Sequence, residues 1–231
     1  MKIKLFTLPN ILTLCNLLCG AAAAVAALRF DNLQWPLLFI VAAAVFDFLD
    51  GFAARLFKSY SPLGKELDSL ADCVSFGFAP SAILLNIYET SGGEGPWGYL
   101  VFILAAFSAL RLAKFNIDEN QSTQFIGMPT PAAALLVAAS GYLAGTGMYM
   151  INPWFVVLLA FVLSYLLVCN VPMFALKFKH YGFRGNEVRY IFAGCAVVAL
   201  IIWKILAIPF IIMAYVAVSM VLMAVHFRKS E

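Results

Sequence analysis

Long apolar runs separated by short polar stretches dominate this sequence of 231 residues. The runs do not alternate between apolar and polar positions, so they predict helices and not strands. Each is close to the roughly 20 residues that a helix needs to cross about 30 Å of hydrocarbon. The pattern predicts eight transmembrane helices, over residues 9–29, 34–55, 67–88, 97–115, 129–150, 153–174, 188–204 and 207–226. Only a tight turn near Pro209 separates the last two.

The composition supports a membrane protein. Hydrophobic residues make up 64% of the chain, charged residues only 12%, and the mean hydropathy is +0.93. A soluble domain carries about 25% charged residues. Because lipid offers no hydrogen-bond partners, spanning segments must pair their backbone internally, as helices do. We therefore predict one all-α transmembrane domain over residues 1–231, a polytopic bundle without a soluble appendage.

The distribution of Lys and Arg predicts the orientation. With both termini in the cytoplasm, every basic residue except Arg29 and Lys204 falls on the cytoplasmic side. This orientation also places the acidic segment 47–72 on that side. The net charge of +3 then reflects topology and contact with anionic membrane lipids. No basic and aromatic patch is present, so nucleic acid is not an expected partner.

Four aspartates stand in the segment "DFLDGFAARLFKSYSPLGKELDSLAD", residues 47–72. Asp47 and Asp50 share one face at the end of the second helix, and Asp68 and Asp72 share one face of the third. The turn between them makes the two helices antiparallel neighbours, so the two acidic faces meet. Carboxylates this close repel one another, and each buried ion costs several kcal/mol. A bound cation removes that cost, so we predict that all four aspartates are metal ligands.

Hard oxygen ligands favour Mg²⁺ or Mn²⁺, as one or two ions, over Zn²⁺, because no Cys or His accompanies them. The alternative is structural, with the aspartates as helix caps or as partners of Arg55 and Lys58. The small residues Gly51 and Ala54 favour the metal site, because they let a ligand approach closely. Arg55 offers a planar fork suited to phosphate oxygens. Together these residues indicate a site for a nucleotide diphosphate.

The segment resembles the signature of the CDP-alcohol phosphatidyltransferases, D-x-x-D-G-x-x-A-R-x(8)-G-x-x-x-D-x-x-x-D. The fixed positions are filled by Asp47, Asp50, Gly51, Ala54, Arg55, Gly64, Asp68 and Asp72. The resemblance implies a six-helix catalytic core, about 1–176, with two extra C-terminal helices, about 188–226. It implies cleavage of a CDP-linked lipid with release of CMP, a bacterial cytoplasmic membrane and a homodimer. It also implies that Asn10 and Thr13, on one face of the first helix with Asn16, join Gly51, Ala54, Arg55, Gly64 and Asp68 in binding the nucleotide. The alternative is that these polar residues of the first helix only hold neighbouring helices together.

Five further segments resemble bacterial phosphatidylserine synthases of the membrane-embedded type. They are "LPNILTLCNLLCG" (8–20), "LDSLADCVSFGFAPS" (67–81), "RLAKFN" (111–116), "GMPTPAAA" (127–134) and "YLLVCNVPMFALK" (165–177). The resemblance implies CDP-diacylglycerol as donor and L-serine as acceptor.

Serine carries a carboxylate that needs a cation. Arg111 lies in an apolar run near the cytoplasmic end of the fourth helix, where it either faces the bundle interior or extends outward to water. We predict that Arg111, Lys114, Asn116 and Thr130 bind serine. The prolines beside Thr130 either free backbone groups for a ligand or only start the fifth helix.

The predicted reaction is metal-assisted phosphoryl transfer, with Asp72 as general base for the serine hydroxyl. That role follows from the family resemblance and from the position of Asp72, one turn deeper than Asp68. Two kinds of alternative stay open. One keeps the chemistry with another acceptor, glycerol 3-phosphate or inositol, or with an archaeal-type lipid donor. The other is a cation channel or transporter whose ion site is the acidic cluster.

Overall fold

The structure, a computed structural model, describes residues 5–30, 33–117, 125–146, 151–173 and 187–228. These residues form helices joined by short connections, plus one antiparallel pair of two-residue strands. In chain order the elements are α1 (Leu8–Arg29), α2 (Gln34–Leu56), α3 (Pro62–Asp72), α4 (Ala79–Thr90), α5 (Ile103–Ile117), β1 (Phe125–Ile126), α6 (Thr130–Gly145), α7 (Pro153–Val168), β2 (Pro172–Met173), α8 (Glu187–Trp203) and α9 (Ala207–Arg228).

Five helical stretches in the described residues are long and apolar enough to cross a membrane. They are Leu8–Arg29, Gln34–Leu56, Pro62–Thr90, Pro96–Ile117 and Tyr190–Met223. The helices α6 and α7 are also apolar but have 16 residues each, about 24 Å, so they are shorter than the predicted spans. The helical, polytopic fold is thus confirmed, while the count of eight spans stays a prediction.

Local sequence signals explain where several helices begin. Thr7, Ser61 and Asn152 cap α1, α3 and α7 through side-chain oxygens that accept backbone N–H bonds. A proline stands in the first turn of each of these helices, where its missing N–H costs no hydrogen bond. The cap at Ser61 starts the third helical run earlier than the predicted residue 67.

The helices α3 and α4 form one continuous run through a π-helical stretch at Cys73–Phe78. Every residue from Ala79 to Tyr88 is buried, so α4 is the centre of the bundle. The helix α1 packs closely against the π-helical stretch at Gly20, where a Cβ atom would lie 2.5 Å from the Cα atom of Ser75. The Ser75 hydroxyl donates to the Asn16 carbonyl oxygen across the same contact, at 3.0 Å.

The turn between the two C-terminal helices differs from the prediction. A 3₁₀ turn at Lys204–Leu206 separates α8 from α9, and Lys204 has a φ of 49°. Pro209 lies inside the first turn of α9, where a proline breaks no helical hydrogen bond. The helix α9 packs against α6, so the C-terminal pair is part of the same bundle. The sequence also predicts a basic loop at "KFKHYGFRGNEVR", residues 177–189, and most of it lies outside the described residues.

The strands β1 and β2 tie the loop before α6 to the loop after α7, with Ile126 opposite Pro172. Gly127 follows with a φ of 77°, a conformation that favours glycine. The Met128 N–H then donates to the Leu166 carbonyl oxygen at 2.8 Å. This pairing fixes the start of α6, where Pro129 is the N-cap residue and Thr130 the first helical residue.

Candidate active site between α1, α2, α3 and α5

Three of the four predicted metal ligands converge across the seam between α2 and α3. Carboxylate oxygens of Asp47, Asp50 and Asp68 all lie within 4.8 Å of one another. Asp50 is buried, and Asp47 and Asp68 are half-buried. The two acidic faces therefore meet as the spacing predicts, and we call these three residues the acidic cluster.

The acidic cluster fits a divalent cation. The Oδ1 atom of Asp68 is buried and has no hydrogen-bond partner among the described residues. A buried carboxylate oxygen without a partner is costly, and neighbouring carboxylates increase that cost. Three oxygen donors at this separation are the hard ligand set that Mg²⁺ or Mn²⁺ prefers. Asp47, Asp50 and Asp68 would hold such an ion.

Asp72 lies outside this group of three and has its own partner. It is buried, and its Oδ1 atom accepts a hydrogen bond from the Asn16 side-chain amide at 3.1 Å. Asn16 itself is fully buried. An amide donor holds the carboxylate in one orientation without adding a positive charge. This surrounding differs from that of the acidic cluster, and it suits a group that must accept a proton.

A second residue of α1 contacts the acidic cluster. The Thr13 hydroxyl donates to Oδ2 of Asp50 at 2.7 Å, and both side chains are buried. Thr13 and Asn16 are three residues apart and share one face of α1. The first helix therefore orients one carboxylate of α2 and one of α3.

The first of two cavities at this site lies between α1, α2 and α3, and we call it the α1–α3 cavity. Its volume is about 610 Å³. Six of the seven residues predicted to bind the nucleotide line it, namely Asn10, Thr13, Gly51, Ala54, Gly64 and Asp68. A Cβ atom on Gly51 would meet nothing within 4 Å, so this wall faces open space.

Arg55, the seventh predicted nucleotide residue, is not brought into the cavity. Its side chain is exposed, and its Nε atom donates to the Gly51 carbonyl oxygen one turn earlier, at 3.0 Å. The spacing of the motif places Arg55 on α2, but the rotamer in this structure keeps the guanidinium along its own helix.

The second cavity, the α5–α9 cavity, has a volume of about 680 Å³ and also borders the acidic cluster. Asp47, Asp68 and Asp72 line it, together with Arg111, Asn116 and Thr130. Asp68 and Lys65 line both cavities, so the two meet at the acidic cluster.

The residues predicted to bind serine divide into two groups. Arg111 is only 9% exposed, so it faces the bundle interior, and its Nη1 atom donates to the Thr130 hydroxyl at 3.4 Å. Asn116 also lines the α5–α9 cavity, and its amide donates to Ser69 at 2.8 Å. Lys114 instead is exposed and donates to the Asn170 side chain at 3.3 Å, away from this cavity.

Sequence reasoning missed the contribution of the C-terminal helices. The α5–α9 cavity is also lined by Phe192 of α8 and by Ile211, Ile212 and Tyr215 of α9. Their segments look like ordinary apolar spans, and only a tyrosine within such a span offered a signal. Lys65 was also missed as a cavity residue, and its Nζ atom donates to the Asn116 carbonyl oxygen at 2.7 Å.

The chain is similar to known proteins over most of its length. The model of a family described as CDP-alcohol phosphatidyltransferase matches residues 6–166. The chain is 34% identical over 181 residues to the CDP-diacylglycerol–serine O-phosphatidyltransferase of Bacillus subtilis (strain 168), covering 78% of this chain and 94% of that protein. It is 34% identical over 223 residues to the enzyme of the same name from Mycobacterium leprae (strain TN), covering 88% and 72%. A relative of that name in Methanocaldococcus jannaschii is 31% identical over 198 residues, covering 86% and 85%.

Proposed function

The chain belongs to the CDP-alcohol phosphatidyltransferase family, and from that premise we propose that it transfers the phosphatidyl group of CDP-diacylglycerol to the hydroxyl of L-serine. The products are phosphatidylserine and CMP. The observation that carries the proposal is the position of the acidic cluster at the junction of two cavities. One cavity is lined by the signature residues and the other by a buried arginine. This arrangement suits a reaction between two ligands at one phosphorus atom.

The α1–α3 cavity binds the CDP end of the donor. Gly51 and Ala54 leave space at its wall, and the amide of Asn10 and the hydroxyl of Thr13 supply polar contacts. The diphosphate then lies at the acidic cluster. A divalent cation held by Asp47, Asp50 and Asp68 would neutralise charge on the diphosphate and on the departing CMP.

The α5–α9 cavity binds serine. The serine carboxylate pairs with the Arg111 guanidinium, and the serine hydroxyl points toward Asp72. Asp72, oriented by Asn16, accepts the hydroxyl proton as the serine oxygen attacks the phosphorus that carries diacylglycerol. The new serine O–P bond forms, the bond from that phosphorus to the bridging oxygen breaks, and CMP leaves with the bonding electron pair. Attack by serine and departure of CMP take place on opposite sides of the phosphorus, so donor and acceptor need separate cavities that meet at the cluster.

The membrane arrangement is part of the proposal. All eight predicted spans cross the bilayer. Both termini and the active site face the cytoplasm, as the distribution of Lys and Arg predicts. The chain forms a homodimer in a bacterial cytoplasmic membrane, as the family resemblance implies.

An acceptor panel tests the function. Purified enzyme receives CDP-diacylglycerol, Mg²⁺ or Mn²⁺, and one of L-serine, glycerol 3-phosphate or inositol. CMP release is followed together with the mass of the lipid product. We expect serine to give phosphatidylserine with the highest kcat/KM. A higher kcat/KM for either of the other acceptors, or no CMP release with any of them, would contradict the proposal.

A further inference from the structure

We infer that Tyr215 determines acceptor specificity in the α5–α9 cavity, donating its phenol hydrogen bond to the acceptor carboxylate beside Arg111. The inference rests on the proposed function, because it deepens the account of the same site. It gives the C-terminal helices, which lie beyond the matched family region at 6–166, a part in substrate choice.

Tyr215 lies among the residues proposed to bind the acceptor. Tyr215 lines the same cavity as Asp72, Arg111 and Thr130, and its side chain is half-buried. A ligand carboxylate bound at Arg111 therefore lies in the same cavity as the phenol.

The packing of α9 fixes this position. Ile212 and Ser219 are buried, and Val216 packs against the main core. These residues recur at helical spacing, so they define the inner face of α9, and Tyr215 lies on that face. The Phe192 ring of α8 packs on Tyr215 with a centroid distance of 6.1 Å and an interplanar angle of 58°. The ring is thus held from two sides before any ligand binds.

The chemistry of the pair selects a monoanion. A carboxylate has two oxygens, so one can accept from the guanidinium of Arg111 and the other from the phenol of Tyr215. One cation and one neutral donor balance a single negative charge. A phosphate dianion such as glycerol 3-phosphate would keep excess negative charge close to Asp72 and the acidic cluster, which disfavours it.

The test is Tyr215→Phe, which removes the hydroxyl and keeps the ring. We expect the KM for serine to rise roughly tenfold, because a hydrogen bond to a charged group is lost. The kcat and the KM for CDP-diacylglycerol should stay within about twofold. Serinol, which lacks the carboxylate, should show the same kcat/KM in native and variant enzyme. Tyr99→Phe is the matched control, since Tyr99 is exposed and lines neither cavity.

Three outcomes distinguish this inference from the alternatives. An equal loss of kcat/KM for serine and serinol in Tyr215→Phe would assign Tyr215 a purely structural role and overturn the inference. If the native enzyme releases CMP with serine but Tyr215→Phe leaves the serine KM unchanged, the inference is wrong and the proposed function stands. Absence of serine-dependent CMP release in the native enzyme would overturn the proposed function, and this inference with it.

Discussion

Replacing Arg111 by alanine is the sharpest test of how this site chooses its acceptor. Arg111 is 9% exposed and lines the α5–α9 cavity, and the contact of its Nη1 atom with the Thr130 hydroxyl is long at 3.4 Å. Arg111 is therefore desolvated in advance and held only loosely by that hydroxyl. A serine carboxylate that reaches it gains a charge-assisted contact away from competing water.

The size of the effect follows from that surrounding. A hydrogen bond to a charged group contributes about 1.5–3 kcal/mol, which is roughly a ten- to hundredfold change in affinity. Arg111→Ala should raise the KM for serine by that factor while the KM for CDP-diacylglycerol changes little. Arg111→Lys should restore the affinity only in part, because a point charge cannot form the bidentate fork.

Lys114→Ala is the matched comparison, because Lys114 carries the same charge three residues further along α5. Its side chain is exposed and bonded to Asn170, so its removal should change the serine KM by less than about threefold. Initial rates of CMP release at varied serine, with CDP-diacylglycerol saturating, give both constants. Serine methyl ester should be a poor acceptor for the native enzyme and relatively less penalised in Arg111→Ala. Native serine kinetics in Arg111→Ala would refute the carboxylate contact, and a larger effect at Lys114 would move the site toward Asn170.

Three other predictions concern the metal, the base and the fold. Excess EDTA should abolish CMP release, and added Mg²⁺ or Mn²⁺ should restore it, whereas full turnover in EDTA would exclude a metal role for the acidic cluster. Asp72→Asn should lower kcat at least a hundredfold, because the general base is lost, while binding of CDP-diacylglycerol is retained. Asp50→Asn should instead weaken binding of CDP-diacylglycerol. If both variants lose donor binding equally, Asp72 is a metal ligand and not the base. Gly20→Ala should lower the free energy of unfolding by about 1–3 kcal/mol, because its Cβ would overlap Ser75, and thermal unfolding in detergent measures this. Gly194→Ala, which meets nothing within 4 Å, should not lower it.

The sequence was sufficient to predict that the second and third helical runs bring the aspartates together. The spacing of Asp47 with Asp50, and of Asp68 with Asp72, sets the face each residue occupies, and a short turn makes the two helices neighbours. Helical spacing also places Asn10 and Thr13 on one face of α1. These properties depend on local geometry alone, so a pattern of residue types is enough to derive them.

The sequence could not predict how these faces rotate against one another. Asp72 stands directly before the π-helical stretch Cys73–Phe78, where the wider helical turn changes the angular position of every later residue. An α-helical pattern contains no sign of that change. Whether Asp72 joins the other three aspartates or pairs with Asn16 depends on contacts between helices. The outward positions of Arg55 and Lys114 depend on rotamers, and the contribution of Tyr215 depends on where a distant helix packs.

The small residues of α1 explain how neutral side chains of this helix can orient Asp50 and Asp72. The segment from Gly20 to Ala27 consists of glycine, alanine and a single valine, and four of its alanines are almost completely buried. Small side chains let helices approach closely, and α1 makes its most extensive contact with α2. That approach brings Thr13 within 2.7 Å of Asp50, and the contact at Gly20 holds Asn16 over Asp72. Lysine or arginine at these two positions would neutralise the carboxylates and compete with a bound cation. Neutral donors orient the carboxylates and leave their charge available to a metal ion and to a proton, which is what transfer to an alcohol requires.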